Sequence, residues 1–178
     1  MLPLAEHDPG TIITGNVTPY RSRKVAILNG AHTALCPLAL MAGFETVRQA
    51  VDSATGAQFL ATLLAQEIAP RLSESKEDLA HYVATVLRRF ANPFVRHYWH
   101  DIALNGLAKF RVRLLPHLLA GIDHGEEPPR LLVLSLAAWL AFYLGRFPSA
   151  TSLPPRDGAE ILARILSLIH ISEPTRPY

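Results

Sequence analysis

The run Lys24-Val-Ala-Ile-Leu-Asn29-Gly-Ala-His32-Thr33-Ala-Leu-Cys36-Pro37-Leu-Ala-Leu-Met-Ala42 decides how the rest of the chain is read. Its small and aliphatic residues suit a mostly buried helix, which Pro37 should kink or break and Gly43 should stop. The same run sets an amine, a carboxamide and an imidazole among apolar neighbours. A core-facing helix needs none of these groups, so Lys24, Asn29 and His32 are candidates for a site that polarises and protonates something.

Outward from this run the chain reads as further helices. Residues 1–20 hold Asp8-Pro9-Gly10, a short β-favouring Thr11-Ile-Ile-Thr and an extended Thr18-Pro19-Tyr20, and read as a linker or edge strand. Glu45 to Val51 forms a short helix, and Gly56 to Leu72 repeats apolar residues at helical spacing. Ser75 with Asp78 marks an N-cap for a helix to about Phe90. Asn92-Pro93 marks another start, with a helix to Leu104 and a break at Asn105-Gly106. Leu107 to Leu119 follows, with Pro116 near its end. Pro128-Pro129 opens the most apolar helix, Arg130 to Gly145. Pro148, Pro154 and Pro155 mark a loop, and Asp157 caps a last helix from Gly158. The fold class is therefore all-α, with a helical domain over residues 21–165. Residues 166–178 resemble the in-frame translation of a sequencing-library adapter, and are read as a non-native tail outside the fold.

Composition narrows the function classes. With 178 residues, 49% hydrophobic and 18% charged, the chain can bury a core as one domain. A net charge of +2 without a dense Lys/Arg cluster argues against nucleic acid. The single Cys36 excludes an internal disulfide and fits a reduced, cytoplasmic setting. The run Leu131 to Leu144 is shorter than the roughly 18–20 residues of a membrane span, so no membrane partner is expected.

The chemistry of the opening run depends on geometry. In one straight helix Lys24 and His32 stand about 12 Å apart along the axis, whereas Asn29 and His32 share a face. A compact site therefore places Lys24 ahead of the helix, with its stem folded back over the first turns, where the helix dipole eases proton exchange. Lys24 would then protonate a carbonyl oxygen undergoing reduction, Asn29 would donate to the same oxygen, and His32 would hold the substrate. On spacing alone the plainer reading stands beside it: a solvated Lys24, a capping Asn29 and a satisfied core imidazole at His32.

Lys-x4-Asn-x2-His in the run Thr18-Pro-Tyr-Arg-Ser-Arg-Lys-Val-Ala-Ile-Leu-Asn-Gly-Ala-His-Thr33 resembles the signature of the polyol-specific long-chain dehydrogenases. Arg89-Phe-Ala-Asn-Pro-Phe94 and Ile102-Ala-Leu-Asn-Gly-Leu-Ala-Lys109-Phe-Arg-Val-Arg-Leu-Leu-Pro116 extend the likeness over approximately residues 12–147. This family includes mannitol 2-dehydrogenase, fructuronate reductase and tagaturonate reductase (altronate oxidoreductase), and the runs are nearest the last branch. The resemblance implies a mainly helical C-terminal substrate domain beside an N-terminal Rossmann domain that binds most of the NAD. It implies Lys24 as general acid or base, Asn29 as carbonyl polariser and His32 as substrate contact, with a small uronate substrate and no metal. Lys109, Asn105 and Arg89 lie in the other matching runs as substrate-binding candidates.

One departure limits this. The chain holds no Gly-x-Gly-x-x-Gly after a strand, so it is expected neither to bind NAD tightly nor to turn over alone. A helical interaction module without chemistry remains the alternative, as does a fructuronate reductase or mannitol 2-dehydrogenase domain. Arg111 and Arg113 are candidates for a uronate carboxylate or members of a solvated face. His97, His100 and Asp101 form a loose cluster without zinc-helix spacing. Trp99, Trp139 and Tyr143 read as core, and Cys36 as buried and inert.

Overall fold

The computed structural model describes residues 11–146 apart from His124, together with Ala163. Helix α1 (Thr18–Met41) runs through the middle of the domain and starts earlier than the extended entry expected from Thr18-Pro19-Tyr20. Pro19 sits in its first turn, where a helix has no use for the missing N–H. Around α1 pack α2 (Val47–Asp52) and α3 (Ala54–Thr62), the latter continuing as a π-helical turn Leu63–Ile68 and a 3-10 turn Ala69–Arg71. Then come α4 (Lys76–Phe90), α5 (Trp99–Ala103), α6 (Gly106–Arg113), α7 (Leu115–Asp123) and α8 (Arg130–Tyr143). Among the described residues there is no strand, only an isolated bridge between Thr46 and Tyr98. The all-α expectation holds.

Several helix ends follow from capping chemistry. Thr46 and Gln49 form a reciprocal capping box at α2. Ser75 accepts the Asp78 N–H at 3.1 Å, and Glu77 and Asp78 occupy the first turn of α4. The expected start at Asn92-Pro93 is corrected. Asn92 Oδ1 accepts the Phe94 N–H at 2.9 Å, a local turn that competes with helix initiation. The segment then pairs its backbone with the α2 entry, Val47 N–H to the His97 carbonyl and Trp99 N–H to the Glu45 carbonyl, both at 2.9 Å. The helix begins only at Trp99. The single helix expected over Leu107 to Leu119 is also two, because the chain turns at Leu114 and restarts ahead of Pro116.

Pro37 lies inside α1 without ending it. It cannot donate to the Thr33 carbonyl four residues back, and that carbonyl instead accepts the indole N–H of Trp139 at 2.9 Å. Next to it the Ser135 hydroxyl donates to the Ala34 carbonyl at 3.0 Å. Helix α8 thus docks on α1 beside the one backbone acceptor, the Thr33 carbonyl, that the proline has freed. Its own first N–H groups, on Leu131 and Leu132, are capped by the Glu67 carboxylate at 2.8 and 2.9 Å. That anion also complements the positive end of the helix dipole.

At the start of α6, a Cβ on Gly106 would stand 2.2 Å from the Trp139 ring, so only glycine admits this packing. The preceding Asn105 adopts the left-handed conformation, φ 55°, that turns the chain. Helix α1 passes the length and composition test for a membrane span, but most of it is buried among the other helices, which suits the core helix of a helical domain. The expected loop at Pro148, Pro154 and Pro155, the last helix from Gly158 and the tail 166–178 lie outside the described residues, save that Ala163 is helical.

Candidate active site

Lys24 does not precede α1. It lies within the helix, well beyond the first turn, so the positive end of the dipole is not beside it. Lys24 and Asn29 bound a π-helical turn, in which the Gly30 N–H reaches the Val25 carbonyl five residues back. In an unbroken α-helix, residues five apart point about 140° away from each other. The wider turn narrows that angle between Lys24 and Asn29. His32, three residues on, is then about 60° away around the axis. Such turns are concentrated at functional sites in proteins at large. Lys24 is exposed and Asn29 half-buried, and the Asn29 carboxamide has no hydrogen-bond partner among the described residues. Just ahead of the turn, the Arg23 guanidinium lies 4.4 Å from the centroid of the Tyr82 ring, tying this part of α1 to α4.

His32 is enclosed by aromatic rings. Phe90 lies 4.1 Å away centroid to centroid, His97 6.0 Å and Trp99 6.4 Å. The backbone of Leu28 hydrogen-bonds one ring nitrogen, while Nε2 is buried with no partner. Nδ1 is therefore the nitrogen that donates to the Leu28 carbonyl, and Nε2 carries the lone pair. Burial, then the charges of His97 and Arg113, lower the His32 pKa to about 4. At neutral pH the ring is uncharged, and Nε2 is a buried acceptor that no described group meets.

Helix α6 supplies the facing cations. Lys109 donates to the Ile102 carbonyl at 3.1 Å, and its charge is felt by both His32 and Cys36. Arg113, one turn on, donates from Nη1 to Thr33 Oγ1 at 3.0 Å and to the Asn29 carbonyl at 3.5 Å. Burial lowers the Arg113 pKa from its usual range. Arg113 is the residue that spacing undervalued, since its neighbours Arg111 and Val112 are exposed and only its register on α6 turns it inward. Phe90 was missed as well; it reads as core from its position, and the imidazole it covers is distant in sequence.

The remaining candidates are placed less centrally. Asn105 is exposed and serves the turn, its carbonyl accepting the Lys109 N–H at 2.9 Å. Arg89 is exposed in the last turn of α4, next to Phe90. His100 Nε2 pairs with Asp101 at 3.0 Å, and among the described residues no three His, Cys, Asp or Glu side chains converge as a metal site. Trp99 and Trp139 are fully buried and Tyr143 nearly so. Cys36 is buried with its thiol against the Trp99 carbonyl, and burial raises its pKa well above the usual thiol range.

A family model described as the mannitol dehydrogenase C-terminal domain matches residues 16–171. Altronate oxidoreductase of Klebsiella pneumoniae subsp. pneumoniae is 44% identical over 157 residues, covering 88% of this chain and 32% of that protein. Altronate oxidoreductase of Yersinia pestis is 44% identical over 168 residues, covering 94% of this chain and 34% of its own length. Among solved structures, the ternary complex of Pseudomonas fluorescens mannitol 2-dehydrogenase with NAD and D-mannitol superposes with TM-score 0.74 at 26% identity, over 90% of this chain and 32% of that one. A D-sorbitol dehydrogenase in substrate-free form, 23% identical, shares the fold with TM-score 0.78, covering 92% of this chain and 34% of that one. The chain spans about a third of the length of these relatives. By the match over residues 16–171 and the relatives that share it, the chain belongs to the mannitol dehydrogenase family of oxidoreductases, as a C-terminal domain of that family.

Proposed function

We propose that this chain is the substrate half of an NAD-dependent oxidoreductase that interconverts tagaturonate and altronate in the cytoplasm. The observation that supports this reading is the π-helical turn over Lys24–Asn29, which narrows the angle between these two residues around the helix axis and is followed by a neutral His32 whose Nε2 has no partner. The described residues hold no strand–turn–helix to cradle a pyrophosphate. The nicotinamide cofactor is therefore assigned to the remaining two thirds of the full-length protein, and when bound it supplies the hydride.

Within this chain each group has one task. As the carbonyl carbon is reduced, negative charge grows on its oxygen, and the Asn29 carboxamide donates to that oxygen. The Lys24 ammonium then gives it a proton, leaving an alcohol and an amine that recovers its proton from solvent, to which it is exposed. In the reverse direction the amine takes the proton from the alcohol. His32 Nε2 accepts from a neighbouring substrate hydroxyl and so fixes which carbon faces the hydride. Lys109 adds positive charge on the facing helix, while Asn105 and Arg89 lie at the rim as secondary substrate contacts. Helix α1 begins at Thr18 and the family match at residue 16, so the substrate domain takes in the last part of the stretch read as a lead-in over residues 1–20.

The test joins this chain to the N-terminal two thirds of the Klebsiella pneumoniae relative and measures NADH oxidation with tagaturonate, fructuronate and fructose. The expected result is highest kcat/KM with tagaturonate, and no turnover by the 178-residue chain alone. Good activity with fructose and none with tagaturonate would overturn the substrate assignment.

A further inference from the structure

We propose that Arg113 binds the substrate's carboxylate, through the Nε/Nη2 edge of a guanidinium whose Nη1 atom is already anchored on helix α1. The inference rests on the uronate reading above and names the residue that would give the site its preference for an acid over a neutral sugar.

The anchoring is explicit. Nη1 donates to Thr33 Oγ1 at 3.0 Å and to the Asn29 carbonyl at 3.5 Å, and the Thr33 hydroxyl in turn donates to the Asn29 carbonyl at 3.0 Å. Those acceptors orient one end of a planar, five-donor group and leave the opposite edge, Nε with Nη2, as a fork that matches a carboxylate. Neither atom has a hydrogen-bond partner among the described residues, and neither is sealed from solvent. No ion pair among the described residues involves Arg113. A guanidinium anchored at one end and open at the other offers a pre-oriented fork, and charge-assisted bidentate pairing adds both strength and geometric selectivity for a carboxylate.

Position supports the same ligand. Arg113 lies close enough to His32 for its charge to act on the imidazole. Its anchor at Thr33 is one helical turn beyond Asn29, about 6 Å along the axis. A sugar acid whose carbonyl oxygen rests on Lys24 and Asn29 would extend along α1, pass a hydroxyl to His32 and end its carboxylate at Arg113. A neutral ketose can make every contact except the last. Lys109, one turn earlier on α6, adds positive charge without offering a planar fork.

The experiment uses the full-length enzyme obtained by joining this chain to the Klebsiella pneumoniae N-terminal portion, with Arg113→Gln and Arg113→Lys. The readout is the ratio of kcat/KM for tagaturonate to that for fructose. Arg113→Gln should lower the ratio about 100-fold, mainly through the KM for tagaturonate, from the loss of two charge-assisted hydrogen bonds. Arg113→Lys should recover part of it, because the charge returns without the fork. A tagaturonate KM within about threefold of wild type in Arg113→Gln overturns the proposal, and so does an equal loss on both substrates, which would make Arg113 a strut. A wild-type enzyme inactive on tagaturonate overturns the uronate reading itself and takes this inference with it.

Discussion

His32 owes its protonation state to its neighbours rather than to its own chemistry. Phe90 covers one face, Leu28 fixes one nitrogen, and burial with the nearby cations holds the pKa at about 4. The unfolded chain binds that proton near pH 6.5, so between the two values the unfolded state carries more protons and stability rises with pH. The contribution is present above pH 6.5 and is lost as pH falls toward and below 4, by about 3 kcal/mol in all. Urea denaturation at pH 7 and pH 4.5 should show this loss in the wild type and a clearly smaller one in His32→Gln. Thr33 carries a different load, since its buried hydroxyl donates to Asn29 and accepts from Arg113. Thr33→Val keeps the shape and removes both bonds, and should cost about 1–2 kcal/mol by chemical denaturation.

Among the elements, α1 and α8 show how one residue sets the partner of another. Pro37 frees the Thr33 carbonyl and Trp139 satisfies it. Trp139→Phe should cost about 2–3 kcal/mol in the wild type and measurably less in a Pro37→Ala background, where a backbone N–H can return to that carbonyl. A double-mutant cycle with no coupling would contradict the pairing. Gly106→Ala should be more damaging than its size suggests, about 2–4 kcal/mol, because the added carbon meets the Trp139 ring at the centre of the α6–α8 contact. Helix identity and several boundaries were legible in the chain, because Ser75 with Asp78 and the long apolar periodicities act locally. Asn92-Pro93 misled because a local turn and two long-range backbone bonds outweigh a capping signal. The passage of α1 through Pro37 was hidden because the bond that compensates for it comes from Trp139, far along the sequence. The π-helical turn at Lys24 was hidden for a related reason: composition favours a helix there but does not say how tightly it winds. The trio Lys24, Asn29 and His32 was readable as residue types, and the winding between Lys24 and Asn29 was not.

At the scale of the whole molecule, α1 is both core and site. Ala31, Ala34, Cys36 and Ala39 of α1 are fully or almost fully buried, and these small side chains let α3, α5 and α8 pack closely, so the polar residues of α1 sit on a braced rod. The domain spans about a third of its relatives, and its described residues, all in helices and loops, hold no strand–turn–helix that would cradle a dinucleotide. Addition of NADH to the 178-residue chain should therefore leave its thermal midpoint within about 1 °C, since only a bound ligand shifts it. The most direct measurement is the rate of tagaturonate reduction by the full-length enzyme carrying Lys24→Met. Loss of the general acid should lower kcat by about 10²–10⁴, with partial recovery on adding a small primary amine such as methylamine. A kcat within about threefold of wild type would contradict a proton-transferring role for Lys24, and with it the proposed site.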